Sequence, residues 1–299
     1  QFDASQGVLV GVAATLTPGN NLTYLRADGA NAGRGSASVD ASWTGSGGLN
    51  ASGNLNSINK VGSTDGIDNS WSPLTQTITN GTNLDSWVGA GNIISTINTT
   101  ITANRIGGSG NLSAGVSSLG TNNTGGSTAT PQQADLNASY SVVYNYLDHA
   151  IASFDGSSAV TSLDIDFGTL LLGNSIGSMG FDIFNLVGTN GVALDLTSIT
   201  LSGDTAAFVT DLGLFSDLAH GAHNSYTASF DPISAGSFDA TYLLTLSDNA
   251  IGAASSRHTY SLVLNLTANV VNPTVLPEPS VIALLGIGLL GLFGFSRRN

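Results

Sequence analysis

Between residues 163 and 266, apolar side chains recur at every second position. Leu163, Ile165 and Phe167 alternate with Asp164 and Asp166, and Tyr226, Ala228 and Phe230 alternate with Thr227 and Ser229. Tyr242, Leu244 and Leu246 oppose Thr241, Leu243, Thr245 and Ser247, and Tyr260, Leu262, Leu264 and Leu266 repeat the pattern. A period of two places one row of side chains in a core and the other in water, the signature of half-buried β-strands. Turn-forming residues separate these runs at 173–177, 188–191, 219–223, 235–236 and 249–256. Six or seven such strands in about 110 residues predict an immunoglobulin-like β-sandwich. Burying each Leu, Ile or Phe on the inner face contributes roughly 1.5–3 kcal/mol, so the alternation supplies a core without disulfides.

The chain has no cysteine, so a thiolate or a disulfide framework plays no part. Its 299 residues include 38 glycines with abundant Ser, Thr and Asn, a composition of short strands and many turns. Only 9% of residues are charged, with 7 basic against 20 acidic side chains and a net charge of −13. No basic footprint is available for a nucleic acid or an anionic lipid surface.

The first half is strand-like in segments rather than in one pattern. Residues 8–14, 22–25, 36–43, 75–79, 93–102 and 142–146 are rich in β-branched or aromatic residues. The stretch Leu119 to Pro131 lacks apolar periodicity and divides the chain. The organisation expected is a β-rich N-terminal domain over 1–120, either sandwich or solenoid-like, then a linker over 121–133 and a sandwich over 134–272. A tail over 273–299 completes the chain. The start at Gln1, with no basic or apolar leader behind it, is the expectation for an exported chain whose signal peptide is removed, or for a fragment.

The tail carries the most specific pattern. The sole glutamate, Glu278, stands between Pro277 and Pro279; an uncharged run from Val281 to Phe295 follows, then Arg297 and Arg298. As a helix, about 15 residues span roughly 22 Å, less than the roughly 30 Å hydrocarbon core, so 281–295 is a single short transmembrane helix with glycines at 286, 288, 291 and 294. The two arginines belong on the cytoplasmic side, which puts residues 1–280 across the membrane. Pro277 and Pro279 keep the intervening segment extended.

Glu278 between its prolines, the Gly/Leu-rich run and the terminal arginines, in that order, resemble the PEP-CTERM sorting signal of Gram-negative bacteria. The resemblance implies an exosortase as processing partner, cleavage near Pro277–Pro279, transient residence in the inner membrane through 281–295, and delivery to the cell surface or extracellular matrix. A second resemblance covers residues 160–270. The blocks from Asp166 to Ser175, Phe181 to Leu186, Leu196 to Phe208 and Phe230 to Tyr242 look like successive blocks of Hydin-type or abnormal-spindle-type immunoglobulin-like domains, as in choice-of-anchor surface proteins. That family implies a sandwich used for assembly or binding, without catalytic residues. Its Pro-Gly turn is replaced here by Ala219 to His223.

Catalytic patterns are weak. Gly173, Ser175 and Gly177 match the string of a nucleophile elbow, yet the elbow needs a following helix and here a strand pattern follows. Asp65 and Asp68 are weak calcium candidates because the terminal glutamate of an EF-hand loop is missing. His220 and His223 lack a third ligand nearby. Trp43, Trp71 and Trp87 are core-packing residues or, alternatively, a stacking platform for sugar rings. No cofactor is implied. The expectation is an all-β, non-enzymatic, exported structural or adhesive protein that assembles with itself or with exopolysaccharide. An exopolysaccharide-binding module is the first alternative and a secreted hydrolase the second.

Overall fold

The computed structural model describes residues 1–19, 21–28, 35–60, 66–105, 111–118, 132–133, 137–174, 176–232, 234–273, 285 and 287–289. Among them are ten strands in the first half: β1 (Val8–Pro18), β2 (Asn21–Asp28), β3 (Gly35–Gly45), β4 (Asn50–Lys60), β5 (Gly66–Asp68), β6 (Leu74–Ile78), β7 (Ser95–Arg105), β8 (Asn111–Ser118), β9 (Gln132–Gln133) and β10 (Ala138–Leu147). A short helix, α1 (Gly81–Asp85), precedes β7.

These strands form a sandwich rather than a solenoid. A long sheet, ordered β4-β3-β7-β9, is covered by two short sheets in series, β10-β1-β6 and β5-β2-β8. The inner face of β3 explains why it is central: Ala37, Val39, Ala41 and Trp43 are all buried. Near Trp43 this face meets Val12, Ala14 and Leu16 of β1 and Ile78 of β6. Near Val39 it meets Leu25 of β2, together with Ile58 and Ile101 of its own sheet.

Two findings revise the expected boundaries. Ala138–Leu147, grouped by sequence with the C-terminal unit, pairs antiparallel with β1 along its length, from Val8 opposite Leu147 to Pro18 opposite Ala138. Tyr140, Val142 and Tyr144 supply the aromatic and branched side chains that this sheet needs on its inner face. Gln132 and Gln133, at the end of the expected linker, pair with Ile101 and Thr100 of β7; 119–131 lies outside the described residues.

The second half contains β11 (Ala152–Ser153), β12 (Ser162–Leu171), β13 (Met179–Asn185), β14 (Leu194–Gly203), β15 (Phe208–Thr210), β16 (Phe215–Leu218), β17 (His223–Phe230), β18 (Gly236–Asp248) and β19 (Thr259–Val271). They make a two-sheet sandwich, β11-β13-β17-β15 against β12-β19-β18-β14-β16. The alternating rows meet in its core: Ile165, Phe167, Ala228, Phe230, Tyr242, Leu244, Leu246, Leu262, Leu264 and Leu266 are buried. Asp164 and Asp166 are exposed, as the alternation requires, and accept from Asn265 Nδ2 at 2.7 Å and Thr267 Oγ1 at 3.3 Å. β12 lies parallel to β19, and every other pairing in this sandwich is antiparallel.

No free tether separates the sandwiches. Asp148 N donates to Asn190 O at 2.8 Å directly after β10 ends, and β11 begins at Ala152. The junction is stitched from both sides: Ala253 N donates to Leu9 O at 2.8 Å, and Leu9 N to Ser256 Oγ at 3.0 Å. Ser255 donates through both N and Oγ to Asp85 Oδ1, each at 2.9 Å. At its centre the Asp248 carboxylate, 2% exposed, accepts from Ala150 N and Tyr260 Oη on one oxygen and His258 N on the other. His149 Nδ1 lies 2.8 Å from that second oxygen, and its Nε2 lies 2.7 Å from Ala4 O in the N-terminal segment. The His149 and His258 rings stack at 3.7 Å. Burial, then the bond to Asp248, pushes the Tyr260 phenol far up, so it remains a donor.

Asp248 and His258 mark one end of the β18–β19 ribbon and Val271 the other. A strand of 13 residues spans about 43 Å. The N-terminal sandwich therefore joins the C-terminal one at the end remote from the tail. Of the expected membrane segment, only Leu285 and Ile287–Leu289 are described; they are helical and exposed. Among the described residues no helix is long and apolar enough to cross a membrane.

Replacing Asp248 by Ala strands three donors and the His149 imidazole in a buried joint, and is expected to cost about 3–5 kcal/mol, read from urea unfolding followed by circular dichroism. A second expectation concerns Asp155 at the β11–β12 turn. Hydrogen bonds from the hydroxyls and backbone N–H groups of Ser157 and Ser158 hold its carboxyl down to about 2, against an ordinary 3.8. Its folded value lies below its unfolded one, so the turn is fully held above pH 3.8 and released as pH falls through about 2. The amide shifts of Ser157 and Ser158 in NMR spectra should titrate with that lower midpoint.

Candidate functional site

The features singled out in the sequence fall in different places. Pro277, Glu278, Pro279, Arg297 and Arg298 lie outside the described residues, as do Asp65 and Ser175. Asp68 closes a local turn, accepting from Ser70 N at 2.9 Å on one oxygen and Asn56 Nδ2 at 3.0 Å on the other. The Ser70 backbone bond dominates in lowering its pKa. Among the described residues no three His, Asp or Glu side chains converge as metal ligands. His223 packs its ring against Phe184, with centroids 4.9 Å apart.

The tryptophans separate into two groups. Trp71 packs on the Leu25, Val39 and Ile58 cluster. Trp43 and Trp87 instead share the walls of one cleft of about 250 Å³ in the N-terminal sandwich. Both are almost wholly buried, at 2% and 1% exposure, so neither offers an open ring face as a surface platform would. The exposed aromatic at this cleft is Tyr140, at 68%, a residue the sequence reading passed over.

The cleft follows from the sandwich geometry. β10 is an edge strand, and its inward row Tyr140, Val142 and Tyr144 faces the end of β3 at Trp43 and the start of β7 at Ser95. The fourth side is Trp87, which α1 places. Asn80 caps this helix, its Oδ1 accepting from Thr82 N at 3.0 Å and Asn83 N at 3.4 Å. Trp87 N then donates to Leu84 O at 2.8 Å, and Phe2 N to Trp87 O at 2.6 Å.

The indole of Trp87 is fixed by a bond from its Nε1 to Gly47 O at 2.9 Å and an edge-on contact with Tyr144 at 6.4 Å. Gly47 has φ +71°, and a Cβ there would lie 2.3 Å from Trp87 Nε1. Glycine is therefore required in this β3–β4 turn for both its backbone conformation and the close approach of the ring. Gln76 braces the same turn by donating to Gly48 O at 3.0 Å and accepting from Asn50 N at 2.7 Å.

Polar groups stand beside the aromatic walls. Gln1 accepts from Gly91 N at 2.6 Å and donates to Ser86 O at 2.7 Å. Asn92 and Ser95 are exposed at the rim. The Trp43 indole N–H is buried and has no acceptor. Burial pushes the Tyr144 phenol up, so it remains neutral. Among the described residues the lining contains no Lys, Arg, His, Asp or Glu side chain, and the Gln1 ammonium donates to Gly91 O at 3.5 Å. A second, wider groove of about 550 Å³ lies between β14 and β15, lined by Ile199, Leu201, Phe208, Val209, Leu212 and Tyr242 together with Thr205 and Thr210.

Comparison with known proteins identifies the tail. Residues 275–298 match the PEP-CTERM protein-sorting motif. No curated protein matches the sequence. Among solved structures, a PapD-like domain of human CEP192 is 15% identical, covering 37% of this chain and 82% of its own, with a TM-score of 0.26. The CupB6 tip adhesin of Pseudomonas aeruginosa is 10% identical over 87% of each chain, with a TM-score of 0.28. The VesB protease of Vibrio cholerae is 12% identical, covering 87% of this chain and 99% of its own, at 0.26. Likenesses at these TM-scores carry no argument about function, and the sandwiches stand on the strand pairings described above.

Gly47→Ala should destabilise the N-terminal sandwich by about 1–3 kcal/mol through the strained turn, with an early red shift of tryptophan emission in urea as Trp87 leaves its pocket.

Proposed function

We propose that this chain is an exported, non-enzymatic protein of the cell surface or extracellular matrix of a Gram-negative bacterium, with a structural or adhesive role. The match of residues 275–298 to the sorting motif carries this reading. Export proceeds until 281–295 arrests in the inner membrane, with Arg297 and Arg298 on the cytoplasmic side. An exosortase then cuts near Pro277–Pro279, and the sandwiches are released or attached outside.

The rest of the chain suits that destination. Its cores close without a disulfide, since the sequence has no cysteine. Its stitched joint makes two sandwiches one extended body, which favours a spacer or binding element over a mobile enzyme lid. Its low content of charged side chains leaves recognition to shape, aromatic rings and hydrogen bonds.

Intact-mass and C-terminal peptide analysis of the protein from membranes and from the extracellular matrix tests the reading. The matrix form should end near the Pro-Glu-Pro motif, and Glu278→Ala should accumulate in membranes with its terminal Arg298 and Asn299 intact. Finding that intact terminus in every fraction of the wild-type protein would overturn the sorting step.

A further inference from the structure

We infer that the cleft between β10, β3 and β7 is a binding site for one neutral pyranose residue of a glycan. The size argument comes first. An apolar cavity of about 150 Å³ binds a benzene ring, so about 250 Å³ admits a six-membered sugar ring with its hydroxyls. The walls supply what such a ring needs. Tyr140, exposed at the mouth, and the half-buried Tyr144 give aromatic faces to the C–H groups of the sugar, over a floor held rigid by the buried Trp43 and Trp87.

Hydrogen bonding points the same way. A purely aliphatic guest would desolvate Asn92 and Ser95 at the rim. A hydroxylated ring offers acceptors and donors to both. The charge of the guest is set by what is missing from the lining. With no basic side chain among the described lining residues, and the Gln1 ammonium turned to Gly91 O, a uronate or a sugar phosphate would meet no guanidinium or lysine ammonium and the field of a chain of net charge −13. The wider groove between β14 and β15 is less suited to a stacking ring, because its aromatic side chains, Phe208 and Tyr242, are both buried.

This assignment deepens the surface-protein reading and rests on it for biological sense, but the chemistry of the cleft can be tested apart from sorting. The full chain, held in a zwitterionic detergent without a sugar headgroup, is titrated with neutral tetrasaccharides of glucose, galactose, mannose and N-acetylglucosamine, and with tetragalacturonate. Calorimetry and tryptophan emission are the readouts. At least one neutral tetrasaccharide should bind saturably and shift the emission, and tetragalacturonate should bind at least about tenfold more weakly.

Tyr140→Ala removes an exposed ring and leaves the core intact, and should weaken binding about tenfold or more. Ser95→Arg, which fills the mouth from the rim, should abolish it and serves should Tyr140→Ala fail to fold. Both variants should be sorted and processed like the wild type. Failure of all four neutral probes to bind the folded chain, equal binding of tetragalacturonate, or unchanged affinity in folded Tyr140→Ala and Ser95→Arg would overturn the site. None of those results would alter the C-terminal processing assay.

Discussion

A buried carboxylate holds the two halves of this molecule in one arrangement. Asp248 is withdrawn from water at the end of β18, where an unpaired charge would be costly, and the fold offsets that by converging donors from two chain segments. Ala150 comes from the passage between the sandwiches, His258 and Tyr260 from the start of β19, and His149 reaches on to Ala4. The requirement that this one group be satisfied fixes where β10 ends, how the 249–257 loop folds back, and how Leu9 meets Ala253. Arg257 completes the loop by donating to Ile251 O and Gly252 O.

The joint and the cleft lie in the same half of the architecture, and the tail leaves from the other. A ligand site in the N-terminal sandwich is therefore held outward by the length of the C-terminal one. The cleft itself depends on β10 being an edge. Were another strand paired beyond it, Tyr140 would be covered and the mouth closed. That Tyr140 stands 68% exposed in the inward row of a strand that closes a core is difficult to explain by packing alone.

Much of the fold was legible because β13, β17, β18 and β19 obey period two without interruption, and the turns between strands fall where glycine and asparagine cluster. The N-terminal half was harder for a definable reason. In β4 the inward residues Ala51, Leu55, Asn56 and Ile58 do not alternate, because the pairing with β3 shifts between Val39 and Asp40 and leaves Leu55 as an extra residue. That bulge turns a strand into a 4-then-3 spacing that mimics a helix face, in a segment of Asn, Ser and Gly with little strand propensity. The cleft was half legible: Trp43 and Trp87 stood out as aromatics, but nothing local says that residues 44 apart share a wall while Trp71 does not. Asp248 was illegible, since it falls between a strand row ending at Ser247 and a turn beginning at Asn249, and its partners are up to 99 residues away.

The parallel pairing of β12 with β19 has a mechanical consequence. The chain continues from Val271 toward the tail, so tension from an anchored C-terminus runs along β19, which is flanked by β12 on one side and β18 on the other. The hydrogen bonds on both flanks lie across the direction of pull and must yield together in shear instead of peeling one at a time. Force passed from β19 into β18 travels to Asp248, so in an attached chain the same carboxylate that orients the sandwiches would stand in the load path between the C-terminus and the N-terminal sandwich.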